Sequence, residues 1–397
     1  MMKCINLLAL FLALATSLQA QNYDEAKVPA YTLPDPLVSP SKTRITTKKQ
    51  WETTRRPDVL RLFEDHVYGQ IPRTYSGIKF TLTNENKTAM GGKAHLKEVQ
   101  IEVTQGSKSV KINLVLFIPN QVKGPAPAFL MINHRGKDNT DPTRSTKSDF
   151  WPAELLIDEG FAIAAFHVSD VAADDKATFQ NGVLQLYPEQ LGMENGMRAL
   201  GAWGWGASRA MDYLQQDARI DKNKVAVIGH SRSGKAALWC GAQDQRFALV
   251  VSSCSGNGGS SLSRRRYGET LRLTNTVFPH WFTPRFRQYN DKEDDLPVDQ
   301  HMLLALMAPR PVYVGTAVDD KWADPLGSFL ALKNAESVYA LYGIGPVPAA
   351  VQPPVDAPVI ESTLGYHVRE GAHNLTRYDW MQYLTFARYH FSGKAAR

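Results

Sequence analysis

The run KVAVIGHSRSGKAALW, Lys224 to Trp239, constrains the fold more than any other stretch of this chain. A short β-branched strand ends at Gly229, a serine follows two positions later, and a helix begins at once. A strand that turns this sharply into a helix lifts the Ser231 side chain out at the top of a parallel sheet, as in a nucleophile elbow. The strand and helix backbones nearly touch there, so the flanking positions must be small. Gly229, Ser233 and Gly234 meet that need. The helix start then offers backbone N–H groups without intrahelical acceptors, suited to a developing oxyanion. The ordinary alternative is a buried strand–helix junction without chemistry. The second glycine comes one residue later than in G-x-S-x-G, with Ser233 in its usual place.

The surrounding pattern agrees with such an elbow. Short apolar runs at 128–133, 161–166, 225–230, 248–253 and 311–317 read as buried strands. They alternate with helical segments at about 196–214, 233–242, 326–341 and 375–391. Alternation of this kind predicts an α/β fold with a mostly parallel, doubly wound sheet. Two half-exposed antiparallel strands are expected near 95–104 and 110–118, and a last strand at 365–368. A short amphipathic helix is expected over 57–68, behind an extended arm at 21–55 rich in Pro, Thr and Lys. Residues 21–397 are read as one domain. The irregular stretches 137–150, 170–194, 256–299 and 343–360 are expected over the sheet, where loops shape binding sites.

Composition narrows the function classes. The chain has 397 residues, 43% hydrophobic and 21% charged, so its core can be large enough to hold the fold without disulfides. The formal charge of +6 comes without an aromatic-interleaved basic stretch, which argues against nucleic acid. The triplet Arg264–Arg266 is expected to be solvated or locally paired. Residues 1–20 read as a secretory signal: Lys3, an apolar run from Ile5 to Ala15, and Ser17-Leu18-Gln19-Ala20 before a cut at Gln21. That run is short for a membrane span. The expectation is a soluble monomer in the periplasm or outside the cell, carrying +5 once Lys3 is removed. Cys4 would leave with the signal. Cys240 and Cys254 are expected to stay unpaired, one two turns into the elbow helix and the other at the end of the next strand.

A serine hydroxyl needs a general base, and the base needs an orienting acid. In a fold of this kind the chain order is serine, acid, histidine. His373, in GAHNL between the last strand and the last helix, is the natural base. His230 is expected to point away across the elbow, and His367 to alternate on its strand. His134, at the end of an earlier strand, could line the site. TAVDDKWADP, at 316–325, follows a buried strand, and Asp319, Asp320 and Asp324 compete for the acid. Asp324 precedes Pro325 and a helix, as an N-cap would. Asp319 could cap the turn. Asp320 is favoured.

Five motifs carry a family resemblance. They are GHSRSGKAALW at 229–239, SGNGGSSLSRR at 255–265, LPVDQHMLLALMAPRP at 296–311, DDKWADP at 319–325 and GYHVREGAHNLTRYDW at 365–380. From about residue 50 onward the chain resembles the bacterial glucuronoyl esterases, carbohydrate esterase family 15, within the α/β-hydrolase superfamily. The family pattern G-[C/H]-S-R-x-G-K accounts for the late glycine. The resemblance implies that Ser231 is the nucleophile, His373 the base, and Arg232 a cation in the oxyanion hole. It implies that Lys235 and Glu269 bond sugar hydroxyls and that Trp322 lines the sugar pocket. Many members carry a triad glutamate at the end of the strand after the elbow, where this chain has Cys254. Some use the aspartate two residues before the pocket tryptophan, which is the position of Asp320.

The activity implied is cleavage of the ester between a 4-O-methyl-glucuronoyl group of xylan and a lignin alcohol. It proceeds through an acyl-enzyme, with no metal or organic cofactor and no membrane partner. An acetyl xylan esterase would share the triad without a uronate pocket. A prolyl-type peptidase is disfavoured because no propeller repeat is present. A non-catalytic carbohydrate-binding protein on the same scaffold is disfavoured because Ser231, Asp320 and His373 follow in catalytic order.

Overall fold

Strand β4 (Ala126–Asn133) sends Ala128, Leu130 and Ile132 into one apolar layer and Phe129 and Met131 into the other. The same alternation runs through β5 (Ala162–His167), β6 (Ile220–His230), β7 (Leu249–Ser253) and β8 (Val312–Ala317). A strand buried on both faces can be apolar at every position, and that is why these runs read as continuous. The helices Ala199–Leu214, Arg232–Gln243 and Pro325–Ala340 cover one face. The helices Ala153–Asp158 and Arg377–Phe391 cover the other.

These elements come from a computed structural model that describes residues 21–392. The expected signal segment lies outside the described residues. With β1 (Gly77–Ala89), β2 (Ala94–Gln105), β3 (Lys108–Pro119) and β9 (Leu364–Arg369), the nine strands form one sheet in the order β1-β2-β3-β5-β4-β6-β7-β8-β9. Pairing is antiparallel from β1 through β3 to β5 and parallel across the rest. Every parallel strand therefore ends on the same side, and the loops carrying the candidate chemistry gather there. No helix among the described residues is long and apolar enough to cross a membrane.

Several expectations need correction. β1 was not expected from the sequence: Ile78, Phe80 and Leu82 alternate with polar residues, but the stripe stops there and the strand runs on through exposed polar residues to Thr88. The helix expected over 57–68 starts earlier. Thr47 caps it through a reciprocal box with Gln50, and π-helical turns at Trp51–Arg55 and Glu64–Tyr68 flank the α-helix Arg56–Phe63. The arm before it is not free. Leu37 and Ile45 are buried, His301 reaches the Pro34 carbonyl at 2.9 Å, and Gly268 N–H donates to the Asn22 carbonyl at 2.8 Å.

The arginine triplet is paired rather than solvated. Arg264 bonds Asp299 and the carbonyls of Leu296 and Val298. Arg265 joins Asp324 to Glu25 of the arm, and Arg266 bonds Glu293 and Asp294. Cys240 and Cys254 are both buried and free.

Candidate active site

β6 runs into the helix Arg232–Gln243 with a single residue, Ser231, between them. Its backbone is held at φ 57° and ψ −128°, a conformation a serine adopts only under constraint. The constraint is visible on both sides. A Cβ at Gly229 would fall 2.0 Å from the Ser233 carbonyl oxygen, so only glycine fits. The Ser231 N–H is tied to the Ser253 carbonyl at 2.8 Å. Ser231 does not cap its own helix, and the Arg232 N–H has no acceptor among the described residues. An uncapped helix start beside a partly exposed serine has a backbone donor to offer a developing oxyanion.

His373 lies in the loop between β9 and the last helix. Its Nδ1 meets Asp320 Oδ2 at 2.6 Å, while Nε2 has no hydrogen-bond partner among the described residues. Asp320 is buried and His373 is over a third exposed. Of the three competing aspartates, Asp319 is exposed and Asp324 caps the helix Pro325–Ala340 through Gly327 N–H at 2.8 Å. Asp324 also binds Arg265. Cys254 Sγ lies within 4.8 Å of the ligand atoms of both Asp320 and His373. Burial pushes its thiol well above the ordinary range, and the Asp320 charge adds to this. Cys254 therefore contributes no charge to the dyad.

His230 does not point away. Its ring lies 4.7 Å from that of His373 and 6.2 Å from that of His134. His134 Nδ1 in turn meets Ser233 Oγ at 2.9 Å. Burial, with the neighbouring cations, pushes His134 down to about 3 and His230 well below its usual value. The imidazole of His373 thus packs on neutral rings. This stack was hidden in the sequence because its members lie on three separate segments.

Arg232 pairs with Asp174 at 2.5 Å and lies over the rings of Trp281 and Phe278. Asp174 had no sequence signal, since it comes from an irregular stretch. Burial alone would raise its carboxyl. Hydrogen bonds from His280 and Trp281 and the Arg232 charge outweigh that and hold it well below the usual range.

Lys235, expected among the sugar contacts, is held by protein groups in this structure. It is 2% exposed, and its three N–H donors go to Ser255 O at 2.7 Å, Asn257 O at 2.5 Å and Glu269 Oε2 at 2.7 Å. A buried ammonium must be paired, and the loop carbonyls of 255–257 supply the partners. A sugar hydroxyl could reach it only by replacing one of them. Glu269 keeps Oε1 without a partner among the described residues. Trp322 sits in a short 3₁₀ turn, Lys321–Ala323, partly exposed and with its indole N–H unpartnered among the described residues. The Glu269 N–H bonds the Trp322 carbonyl at 2.9 Å, so the two are neighbours by backbone design.

The chain is similar to several known proteins. A family model described as glucuronyl esterase, fungi, matches residues 101–343. A carbohydrate esterase from an unknown prokaryotic organism is 42% identical over 94% of this chain and 93% of its own length. A glucuronoyl esterase structure from Solibacter usitatus is 38% identical, covers 91% of this chain and 99% of its own, and has a TM-score of 0.86. A promiscuous family 15 esterase from a marine bacterial metagenome is 41% identical, covers 93% and 100%, and also has a TM-score of 0.86. These neighbours share the α/β-hydrolase fold, and the chain belongs to the glucuronoyl esterases of carbohydrate esterase family 15.

Proposed function

We propose that this protein is a serine esterase that hydrolyses esters of 4-O-methyl-glucuronic acid, with xylan on the acid side and lignin alcohols on the other. The observation that carries the reading is the Asp320–His373 pair at 2.6 Å, with His373 packed on His230, the residue before the strained Ser231. Curated relatives named 4-O-methyl-glucuronoyl methylesterase support the reaction class.

In this reading Ser231 Oγ attacks the uronoyl carbonyl carbon, and His373 Nε2 takes its proton. Asp320 holds the Nδ1–H and stabilises the imidazolium that forms. The carbonyl oxygen becomes an oxyanion and is met by the free Arg232 N–H and the Arg232 guanidinium. The C–O bond to the alcohol breaks as His373 returns the proton to that oxygen. Water then attacks the acyl-enzyme with His373 again as base, releasing the uronic acid and restoring Ser231. Glu269 Oε1 accepts from a sugar hydroxyl, and Trp322 offers its face and N–H to the pyranose. Lys235 fixes Glu269 and the 255–257 loop.

The test is hydrolysis of benzyl glucuronate and acetylated xylan by wild type and Ser231→Ala. Benzyl alcohol release that depends on Ser231, with little acetate, supports the uronate reading. A wider ester range is the second reading, favoured by the description of the 41% identical marine neighbour as promiscuous. Comparable release of acetate would support it. Export of the chain is part of the proposal, since a polymeric substrate stays outside the cell.

A further inference from the structure

The oxyanion arginine is not a free side chain, and the way it is held singles out a residue with no assigned role. Arg232 Nη1 donates to Asp174 Oδ2 at 2.5 Å. Asp174 Oδ1 accepts from His280 Nε2 at 2.9 Å and from Trp281 Nε1 at 2.7 Å. The two carboxylate oxygens are thus divided, one for the elbow arginine and one for the loop that carries Trp281. That loop is itself fixed, because the His280 and Trp281 carbonyls accept from the N–H groups of Ala199 and Leu200 at 2.9 and 3.3 Å.

The guanidinium also packs against a pair of aromatic rings. Its carbon lies 4.8 Å from the Trp281 ring centroid and 5.1 Å from that of Phe278, two rings stacked 3.8 Å apart. Arg232 Nε is fully buried without a partner. Nη1 is committed to Asp174. Nη2 has no protein partner among the described residues, and the side chain keeps 29% exposure. One accessible edge of the cation remains, and its direction is set by the bond on the other.

We propose that Asp174 is the positioning residue for oxyanion stabilisation: by fixing Nη1 it turns Nη2 of Arg232 toward the carbonyl oxygen of the ester. This rests on the reading of Arg232 as an oxyanion donor. Asp174 touches neither the ester nor the triad and acts only through Arg232. An arginine released from this bond has several rotamers open to it. Its donor would then have to be ordered during the reaction, where preorganisation is what makes such donors effective.

The experiment compares kcat and KM on benzyl glucuronate for wild type, Asp174→Asn, Arg232→Met and the double variant. Asparagine keeps an acceptor for Trp281 and His280 but turns an amide N–H toward Arg232, so the loop stays anchored while the arginine is released. Asp174→Asn should lower kcat roughly tenfold with KM nearly unchanged, and Arg232→Met about a hundredfold. In the Arg232→Met background, Asp174→Asn should cost less than about twofold, because the residue it positions is gone. Asp174→Glu should recover part of the loss, and melting temperatures report whether each variant folds. An unchanged kcat in Asp174→Asn overturns the proposal, as does an equal loss in both backgrounds, which marks a structural role. Wild-type kcat in Arg232→Met instead overturns the oxyanion reading itself.

Discussion

Arg369 Nε donates to both carboxylate oxygens of Asp379, at 3.0 and 2.9 Å, while Nη2 of the same guanidinium reaches the Asn374 carbonyl at 2.6 Å. Asp379 also accepts from His367 at 2.8 Å and caps the last helix with Thr376. One buried pair therefore ties β9, the loop of His373 and the helix Arg377–Phe391 into a unit. Removing one partner leaves a buried charge, so Arg369→Met should lose about 3–5 kcal/mol of stability. In urea unfolding, a loss well under 1 kcal/mol would mean that the pair is not needed. Burial would raise the Asp379 carboxyl, but His367, Arg369 and Thr376 hold it below the usual range. Its contribution is thus present above the unfolded value, about 3.9, and is lost as pH falls through the folded one.

Asp320→Asn should lower kcat by roughly 10³ to 10⁴, because the amide favours the wrong tautomer of His373. Cys254→Ala should leave kcat within a few-fold of wild type, since the buried thiol carries no charge. Steady-state kinetics with both variants checks this. Near-wild-type turnover in Asp320→Asn would remove Asp320 from the triad.

Lys235→Met should unfold the pocket before it changes any sugar contact. Glu269 would be left charged and buried, and the Ser255 and Asn257 carbonyls would lose their donor. The expected loss is about 3–5 kcal/mol, with a part returned in Lys235→Met/Glu269→Gln. A stable Lys235→Met variant whose only defect is a raised KM would assign the lysine to the substrate instead.

His134 gives a pH signature. Its folded value is pushed down to about 3, while the unfolded ring titrates near 6.5. Between these values the unfolded chain takes up a proton that the folded one refuses, so stability falls as pH drops below about 6.5. The slope from one such ring is at most about 1.4 kcal/mol per pH unit. His134→Gln can keep the bond to Ser233 and should flatten that slope. Identical slopes in urea melts from neutral to mildly acidic pH would mean that His134 protonates in the folded state as well.

What was legible in the sequence was what local rules govern. The elbow is read from adjacent residues, because a strand, a small-residue turn and a helix follow one another along the chain. The central strands are apolar at every position, and His373 and Asp320 sit just after strands. Asp174, His280 and Trp281 stayed out of view because irregular loops carry no period, and their meeting at Arg232 is tertiary. The burial of Lys235 was out of view for a related reason: one helix does not show that residues 255–257 and 269 return to enclose it.

The arm at the start of the described chain has a reach that its position does not suggest. Asn22 holds the N–H of Gly268, Tyr23 offers its carbonyl to Tyr267, and Glu25 grips Arg265. These three contacts brace the stretch that immediately precedes Glu269. Removing these few residues would therefore register far along the chain, in the backbone that leads into Glu269. The outermost described segment is a buttress, and a chain shortened there would keep its elbow while the stretch before Glu269 lost its brace.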